Sequence, residues 1–169
     1  MKIDVTNLPR SAAKYRNVIL SASNFYASML MHKNLLDNIE LIINFMKLEL
    51  GDAPNVASSI WNDDNYRPRE FTITLAAFSE INEVLLLLAH EMVHVKQWAR
   101  GETKDYVAGP RFRRFNGILY DTDVIDYWDL PWEIEAYGRE RGLYIRYCEY
   151  VEAEKNDKEK SYSKIVARS

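Results

Sequence analysis

Two histidines with a glutamate between them lie one helical turn apart in the segment His90-Glu91-Met92-Val93-His94. Residues four apart on a helix are surface neighbours, so both imidazoles can reach one metal ion. Glu91 then lies to one side, where a water activated by that ion would sit. The chain contains only three histidines, so this spacing around a glutamate is improbable by chance. The pattern is typical of metal-dependent hydrolysis, with His90 and His94 as metal ligands and Glu91 as general base.

The segment around these residues must be helical for both rings to reach one ion. Ser79 is a predicted N-cap, an apolar run extends over residues 84–89, and Gly101 stands where a glycine commonly ends a helix. We therefore predict a helix over about residues 80–100. Leucines at all four positions 85–88 cover every direction around the axis, which predicts a helix enclosed by protein. Buried histidine and glutamate side chains need partners, and a metal ion is one.

A catalytic zinc ion commonly takes three protein ligands, so a third ligand is expected elsewhere in the chain. His32 lies far upstream, on a predicted first helix, whereas Pro131 opens a helix that carries Glu133 and Glu135. At about 100° per residue, Glu133 shares a face with a largely apolar and aromatic stripe, which should face the core. Glu135 lies on a charged, solvated face with Arg139. We predict Glu133 as the third ligand; the alternative is that it only favours the helix N-terminus.

The elements His90-Glu91-x-x-His94 and Glu133-x-x-Ala136 together resemble the gluzincin metallopeptidases, zincins whose third zinc ligand is a glutamate on a later helix. Within that group the chain is similar to small, stand-alone peptidases of the SprT-like and phage-associated kind. The resemblance implies Zn²⁺ as cofactor, held by the two histidines and Glu133, with Glu91 as general base. It also implies a protein or peptide as substrate.

Two departures separate the chain from these families. Many gluzincins carry an acidic residue four positions after the ligand glutamate, and this position is Tyr137 here, so the supporting acid is missing there. SprT-like enzymes use a third histidine in place of Glu133. The resemblance covers about residues 35–150 in architecture, but the matching motifs comprise only about ten residues.

A hydrogen-bond donor is needed for the oxyanion that forms during amide hydrolysis, and a tyrosine hydroxyl is a common choice. Tyr137, one turn beyond Glu133, is the residue we select, with Tyr127 as the other candidate. The chain contains eleven tyrosines, so position along the chain is the only ground for this choice.

The order of predicted elements is that of an α+β fold, a single zincin-like domain. It comprises an N-terminal helix over residues 11–33, a small mixed sheet with an edge strand, the helix of the histidine motif and a C-terminal helix with the third ligand. Strands are predicted over residues 39–45, 56–61 and 71–75, and a hairpin around Asn116-Gly117. We assign residues 1–153 to this domain and residues 154–169 to a charged, flexible tail.

The predicted strand over residues 71–75 directly precedes the helix of the histidine motif. Phe71, Ile73 and Leu75 alternate with threonines, so one side should pack on helices while the other stays polar. In zincins the strand at this place lies along the cleft, and a peptide can add to its edge through main-chain hydrogen bonds. We predict that this strand binds substrate; the alternative is an ordinary sheet strand without a ligand.

Charge and composition limit the other functions. With 169 residues, 47% of them hydrophobic, the chain can form one compact core, and its net charge of −3 argues against general nucleic-acid binding. A basic and aromatic run over residues 111–115 could contact a phosphate backbone, but we favour a solvated hairpin strand. Two alternative functions stay open: a non-catalytic, zinc-stabilised adaptor, which would not require Glu91, and a DNA-associated SprT-like protease. Loop or cap roles are predicted for Asp121, Asp123, Asp126 and Asp129.

A single cysteine, Cys148, cannot form an internal disulfide, which favours a reducing compartment; we predict it as a small buried hydrophobe. The N-terminus lacks the apolar core of a signal peptide, and no apolar stretch approaches the roughly 18 residues of a membrane span. We predict a cytoplasmic protein without a membrane partner, phage-encoded in a bacterial host if the resemblance holds. The sequence leaves the oligomeric state open.

Overall fold

The computed structural model describes residues 1–46, 57–61, 66–76, 80–105 and 111–166. The helices are α1 (Arg16–Leu30), α2 (Lys33–Leu36), α3 (Ile81–Arg100) and α4 (Pro131–Val166). The strands are β1 (Lys2–Thr6), β2 (Glu40–Met46), β3 (Ala57–Trp61), β4 (Glu70–Ala76), β5 (Thr103–Asp105), β6 (Phe112–Phe115) and β7 (Ile118–Asp121). Short 3-10 helices span Arg10–Tyr15 and Tyr127–Asp129. The predicted α+β order is confirmed, with the histidine motif on α3 and Glu133 on α4.

The larger sheet is mixed and has the strand order β1-β2-β4-β3. Strands β1, β2 and β4 run parallel, and β3 is antiparallel to β4. The predicted mixed sheet is therefore present, but the strand that carries Phe71 to Leu75 is paired on both sides. The prediction that this strand is an edge that binds substrate is wrong. Alternation of apolar and polar residues reports which face of a strand is buried, not where the strand lies across the sheet.

One face of this sheet packs on α1 and α3 and forms the main core. The core-facing residues of β2 and β4 are Leu41, Ile43, Phe45, Phe71, Ile73 and Leu75. All of them are buried, as the alternation predicts, and each contributes about 1.5–3 kcal/mol by leaving water. On α1, Ile19, Ala22 and Tyr26 meet them from the other side. This core fixes α3 against the sheet and so places the histidine motif.

The predicted first helix is interrupted at both ends. Its first turn, Arg10–Tyr15, is a 3-10 helix, and at Met31 the chain becomes extended before α2 begins. His32 is exposed and occupies the N-cap position of α2. The periodicity of apolar residues continues across this break, which explains why the sequence predicts one helix.

Helix α3 lies where the sequence predicts it and ends at Gly101, which adopts the left-handed conformation with φ of 71°. A side chain is disfavoured there because residues other than glycine rarely adopt this φ, and a Cβ atom would also lie 3.1 Å from the Arg67 Nε atom. Thirteen of the twenty residues of α3 are buried, so the prediction of an enclosed helix is confirmed. The predicted N-cap, Ser79, lies outside the described residues, and Glu80 precedes the first helical residue.

The smaller sheet follows α3 and has the order β5-β6-β7. The predicted hairpin is confirmed: Asn116 and Gly117, with φ of 48° and 87°, join β6 to β7. Positive φ at both turn residues is the type I′ geometry that matches the twist of the two strands. Phe115 packs on Trp132, so this sheet rests against the first turn of α4.

Helix α4 begins with Pro131, as predicted, after a 3-10 turn whose N-cap Asp126 accepts a hydrogen bond from the Trp128 main-chain N–H. It continues to Val166, and its side chains over residues 152–157 are exposed. The division at residue 153 into domain and flexible tail stays a prediction. The prediction for Cys148 as a buried residue is wrong, since this residue is exposed on α4. No helix of the described residues is both long and apolar enough to span a membrane.

Candidate metal centre

His90, His94 and Glu133 meet at one point between α3 and α4. The His90 and His94 Nε2 atoms are 3.1 Å apart, and the Glu133 Oε2 atom lies 3.4 Å from the first and 3.5 Å from the second. The three side chains are between 10% and 12% exposed. The structure thus brings together the three residues that the sequence predicts as ligands, which form a candidate metal site. His32, the remaining histidine of the chain, is not part of this group.

The three atoms form a nearly equilateral triangle. In a tetrahedral site with metal–ligand bonds of about 2.0–2.1 Å, two ligand atoms are about 3.3–3.4 Å apart. The observed distances of 3.1, 3.4 and 3.5 Å match one face of such a tetrahedron. Among the described residues only these three groups converge there, so a tetrahedral ion held by them would have its fourth position free.

A hydrogen bond to Gln97 determines which nitrogen of His94 carries the proton. The Gln97 amide nitrogen donates to the main-chain oxygen of Trp132, which can only accept, at 2.9 Å. The Gln97 Oε1 atom must therefore face His94, and it accepts a hydrogen bond from the His94 Nδ1 atom at 2.9 Å. The proton of neutral His94 is thus on Nδ1, and the Nε2 lone pair points to the candidate site.

Glu140 has the same effect on His90. Its Oε2 atom lies 2.8 Å from the His90 Nδ1 atom, and an ionised carboxylate can only accept, so Nδ1 is the donor. This contact corrects an expectation from the sequence, in which the supporting acid is missing because Tyr137 occupies the usual position. Glu140 lies two helical turns beyond Glu133 rather than one, and it provides the carboxylate. Its place on the Glu133 face is the signal that could have identified it.

The convergence of these atoms is electrostatically unfavourable without a cation. Two imidazole lone pairs and a carboxylate oxygen point at the same small volume, and like dipoles at about 3 Å repel. Burial lowers the pKa of His90, but hydrogen bonds to Glu133 and Glu140 outweigh this and raise it overall. Burial opposes ionisation of Glu133, yet hydrogen bonds that the protonated forms of His90 and His94 donate to it hold its pKa well below the usual range. Both shifts indicate a site that attracts positive charge, which a proton or a metal ion can provide.

Glu135 is not the solvated residue that the sequence predicts. Its pairing with Arg139 is present, with the Arg139 Nε atom 2.8 Å from Oε1. The same oxygen also lies 2.6 Å from the Nζ atom of buried Lys96, and Oε2 accepts a hydrogen bond from Gln97. Burial would raise the Glu135 pKa, but these partners lower it overall. Glu135 therefore joins α4 to α3 beside the candidate site through Lys96 and Gln97.

Glu91, the predicted general base, is buried, with 5% of its surface exposed. It lies close enough to His90 for its charge to raise the pKa of that imidazole. Its catalytic role stays a prediction.

The two tyrosines considered as oxyanion donors both lie at the site. The Tyr127 hydroxyl donates to the Glu133 Oε2 atom at 2.9 Å, so it orients the ligand carboxylate. Burial, with hydrogen bonds to Tyr137 and Glu133, raises the Tyr127 pKa, which keeps its proton in place. The Tyr137 ring packs on His90 with centroids 4.6 Å apart. Since the hydroxyls of Tyr127 and Tyr137 are hydrogen-bonded to each other, both tyrosines are engaged at the site, and the choice of Tyr137 for the oxyanion stays a prediction.

In the basic run at residues 111–115, Arg111 is ion-paired and Arg113 stacks on aromatic rings. The Arg111 Nε and Nη2 atoms donate hydrogen bonds to the two carboxylate oxygens of Asp121. The Asp123 Oδ2 atom lies 3.5 Å from the Arg111 Nε atom. The Arg113 guanidinium lies over the rings of Trp98 and Trp132, at 5.5 and 5.0 Å from their centroids. These contacts fit the predicted hairpin strand better than a surface for a phosphate backbone. Asp121 and Asp126 have the predicted loop and cap roles.

Comparison with known proteins adds no relative. No protein-family model matches the chain, and no curated protein or solved structure shows significant similarity to it. The gluzincin and SprT-like resemblance therefore rests on the motif residues alone, and functional inference depends on the geometry of the site.

Replacing Glu140 by alanine is expected to weaken metal binding by about 10–100-fold, because the His90 Nδ1 proton loses its acceptor and the ring its fixed orientation. The matched control is Glu149→Ala, which removes an exposed carboxylate from the same helix. Zinc affinity of the two variants and the unaltered protein is measured by competition with a chromophoric chelator. Equal affinities of the two variants would contradict a supporting role for Glu140.

Proposed function

We propose that this protein is a zinc-dependent metallopeptidase that hydrolyses peptide bonds. The observation that carries the proposal is the convergence of two imidazole nitrogens and one carboxylate oxygen, from two helices, at the spacing of one tetrahedral face. Zinc suits this set of ligands because imidazole and carboxylate in tetrahedral geometry are its common ligands, and two histidines with one glutamate are typical of its peptidases.

Each residue around the site has a specific task in this proposal. His90, His94 and Glu133 would hold the ion, Gln97 and Glu140 fix the two imidazoles, and Tyr127 orients the carboxylate. Zinc, when bound, would polarise the scissile carbonyl and lower the pKa of a water molecule towards about 7.

The proton transfers are assigned to Glu91. Its carboxylate takes the proton from the attacking water and later returns it to the leaving amine. Glu91 is buried on the same helix as the two histidines and directly follows His90. The hydroxyl of Tyr137 would donate to the oxyanion.

The sheet offers a place for an extended substrate. Within the described residues β3 is the edge strand beside β4, and it contacts α3. A peptide could extend the sheet at this edge through main-chain hydrogen bonds and so lie along the helix of the histidine motif. This assignment replaces β4, whose two edges are both occupied.

The test is hydrolysis of an unfolded protein, such as fluorescently labelled casein, by the purified protein with one equivalent of zinc. We expect cleavage that disappears after dialysis against a chelator and returns when zinc is added. Stoichiometric zinc binding without any cleavage would instead support the non-catalytic adaptor. Cleavage that is equally fast in excess chelator would contradict the proposal.

A further inference from the structure

Three aromatic side chains, Tyr127, Trp128 and Tyr137, form a continuous surface next to the candidate metal site, here called the aromatic face. The centroids of the Trp128 and Tyr137 rings are 5.1 Å apart, and those of Tyr127 and Trp128 are 5.4 Å apart. Each of these distances lies in the range of favourable aromatic contacts. The three rings therefore support one another.

Much of the aromatic face is in contact with solvent. Trp128 is 65% exposed, Tyr127 48% and Tyr137 40%. Large apolar side chains that are exposed as a contiguous group, rather than singly, commonly mark a binding surface. Tryptophan and tyrosine also dominate the energetics of such surfaces, because they bury a large area at a low cost in conformational entropy.

The backbone that carries Tyr127 and Trp128 is held by one hydrogen bond to a side chain and one within the main chain. Asp126 accepts from the Trp128 N–H at 3.0 Å, and the Tyr127 main-chain oxygen accepts from the Leu130 N–H at 3.3 Å. Tyr137 is fixed within α4. A binding partner therefore meets preformed rings, which lowers the entropy lost on binding.

The aromatic face is continuous with the candidate metal site. Tyr137 packs on the His90 ring at 4.6 Å, and the Tyr127 hydroxyl donates to Glu133. A ligand that reaches the open metal position therefore has these rings beside it. A side chain of the substrate close to the reacting carbonyl would lie against Trp128 and Tyr137.

The charges near the aromatic face disfavour an acidic ligand. Asp126 and Asp129, which precede and follow Trp128 in the sequence, are exposed. Three further carboxylates, those of Glu91, Glu133 and Glu140, lie in or next to the site. Together they carry three negative charges, which exceed the two positive charges of a bound zinc ion. A substrate carboxylate beside the scissile bond would therefore be repelled.

From these contacts we infer the substrate class: an unfolded peptide segment with a large apolar side chain, such as Phe or Leu, beside the scissile bond and without an acidic residue there. The apolar side chain packs on Trp128 and Tyr137. This inference rests on the proposed peptidase function, since it assumes that the polypeptide is bound at the metal site.

The experiment measures binding without hydrolysis. Four fluorescent peptides that are identical except for one central residue, Phe, Leu, Lys or Asp, are titrated with the zinc-loaded Glu91→Gln variant. Fluorescence anisotropy gives the dissociation constants. If Glu91→Gln does not fold, zinc-loaded wild-type protein is titrated with peptides whose central amide is replaced by a methylene-amine bond, which cannot be hydrolysed.

We expect the Phe and Leu peptides to bind at least about tenfold more tightly than the Asp peptide, the discrimination typical of one apolar contact. Trp128→Ala should reduce this preference to within about twofold while zinc content stays at one equivalent. Tyr66→Ala, which removes a comparably exposed aromatic residue that contacts Lys104, should leave the preference unchanged. A preference for the Lys peptide, or equal affinity for all four, would overturn the inference.

Failure of this inference and failure of the proposed function give different results. If labelled casein is hydrolysed in a zinc-dependent manner but the four peptides bind equally, the peptidase function stands and the substrate class is wrong. If the apolar peptides bind more tightly in a Trp128-dependent manner but casein is never cleaved, the aromatic face binds peptides and the peptidase function is wrong.

Discussion

Glu133→Gln is expected to abolish stoichiometric zinc binding, whereas Glu135→Gln should bind one zinc ion per chain. The Glu133 Oε2 atom is one corner of the triangle with the two histidines, and within the described part of the chain no other carboxylate completes this triangle. An amide in its place brings a weaker ligand and no negative charge. The loss of affinity should exceed the roughly 10–100-fold that follows from removing a supporting partner.

Metal analysis of the wild type and the two variants after gel filtration gives the answer. Glu135→Gln is a close control, because it makes the same substitution half a helical turn away. Lys96 keeps a partner in this control, since Glu102 lies 2.6 Å from its Nζ atom. Circular dichroism establishes that all three proteins are folded. Loss of zinc from Glu135→Gln but not from Glu133→Gln would reverse the choice of ligand.

The second large effect is expected for Glu91→Gln, which should keep its zinc and lose peptidase activity by about 100–10,000-fold, the usual contribution of a general base. Glutamine has the same shape as glutamate but cannot take up the proton of the attacking water. Glu91 is not one of the three groups in the triangle, so the affinity for the metal should change little.

The measurement is kcat for casein or a peptide substrate, with zinc content determined on the same samples. A matched control is Glu83→Gln, which alters a glutamate in the first turn of the same helix, away from the histidines. An unchanged turnover number in Glu91→Gln would exclude Glu91 as the base. Loss of zinc from this variant would instead make Glu91 part of the metal site.

The centre of the site could be predicted from the sequence because helical periodicity determines it. The spacing of His90 and His94 defines one face of α3, and the periodicity of α4 separates Glu133 from Glu135. The same periodicity places Glu140 on the Glu133 face, although the sequence does not indicate that it bonds to His90. Geometry within a single helix is local, and residue type and spacing are sufficient to predict it.

Contacts between different helices and strands could not be predicted from residue types and spacing. The hydrogen bond from Gln97 to the Trp132 main-chain oxygen depends on how α3 docks on α4. Every residue has a main-chain oxygen, so the residue types do not indicate which one accepts this bond. The charged residues on the same helix face as Glu135 predicted that it would be solvated, because the sequence does not show that Lys96 of α3 lies next to it. The position of β4 inside the sheet likewise depends on pairing with distant strands, which alternation along β4 cannot report.

The main-chain oxygen of Trp132 makes a complete site depend on how α3 and α4 dock. It orients Gln97, and Gln97 in turn orients the imidazole of His94. The backbone of α4 therefore determines which nitrogen of His94, on α3, carries the proton. A displacement of α4 by one residue, about 1.5 Å along its axis, would remove this carbonyl and Glu133 together. Only the native docking of the two helices therefore presents a complete set of ligands. An ion that binds there favours the native chain over every misdocked arrangement by mass action.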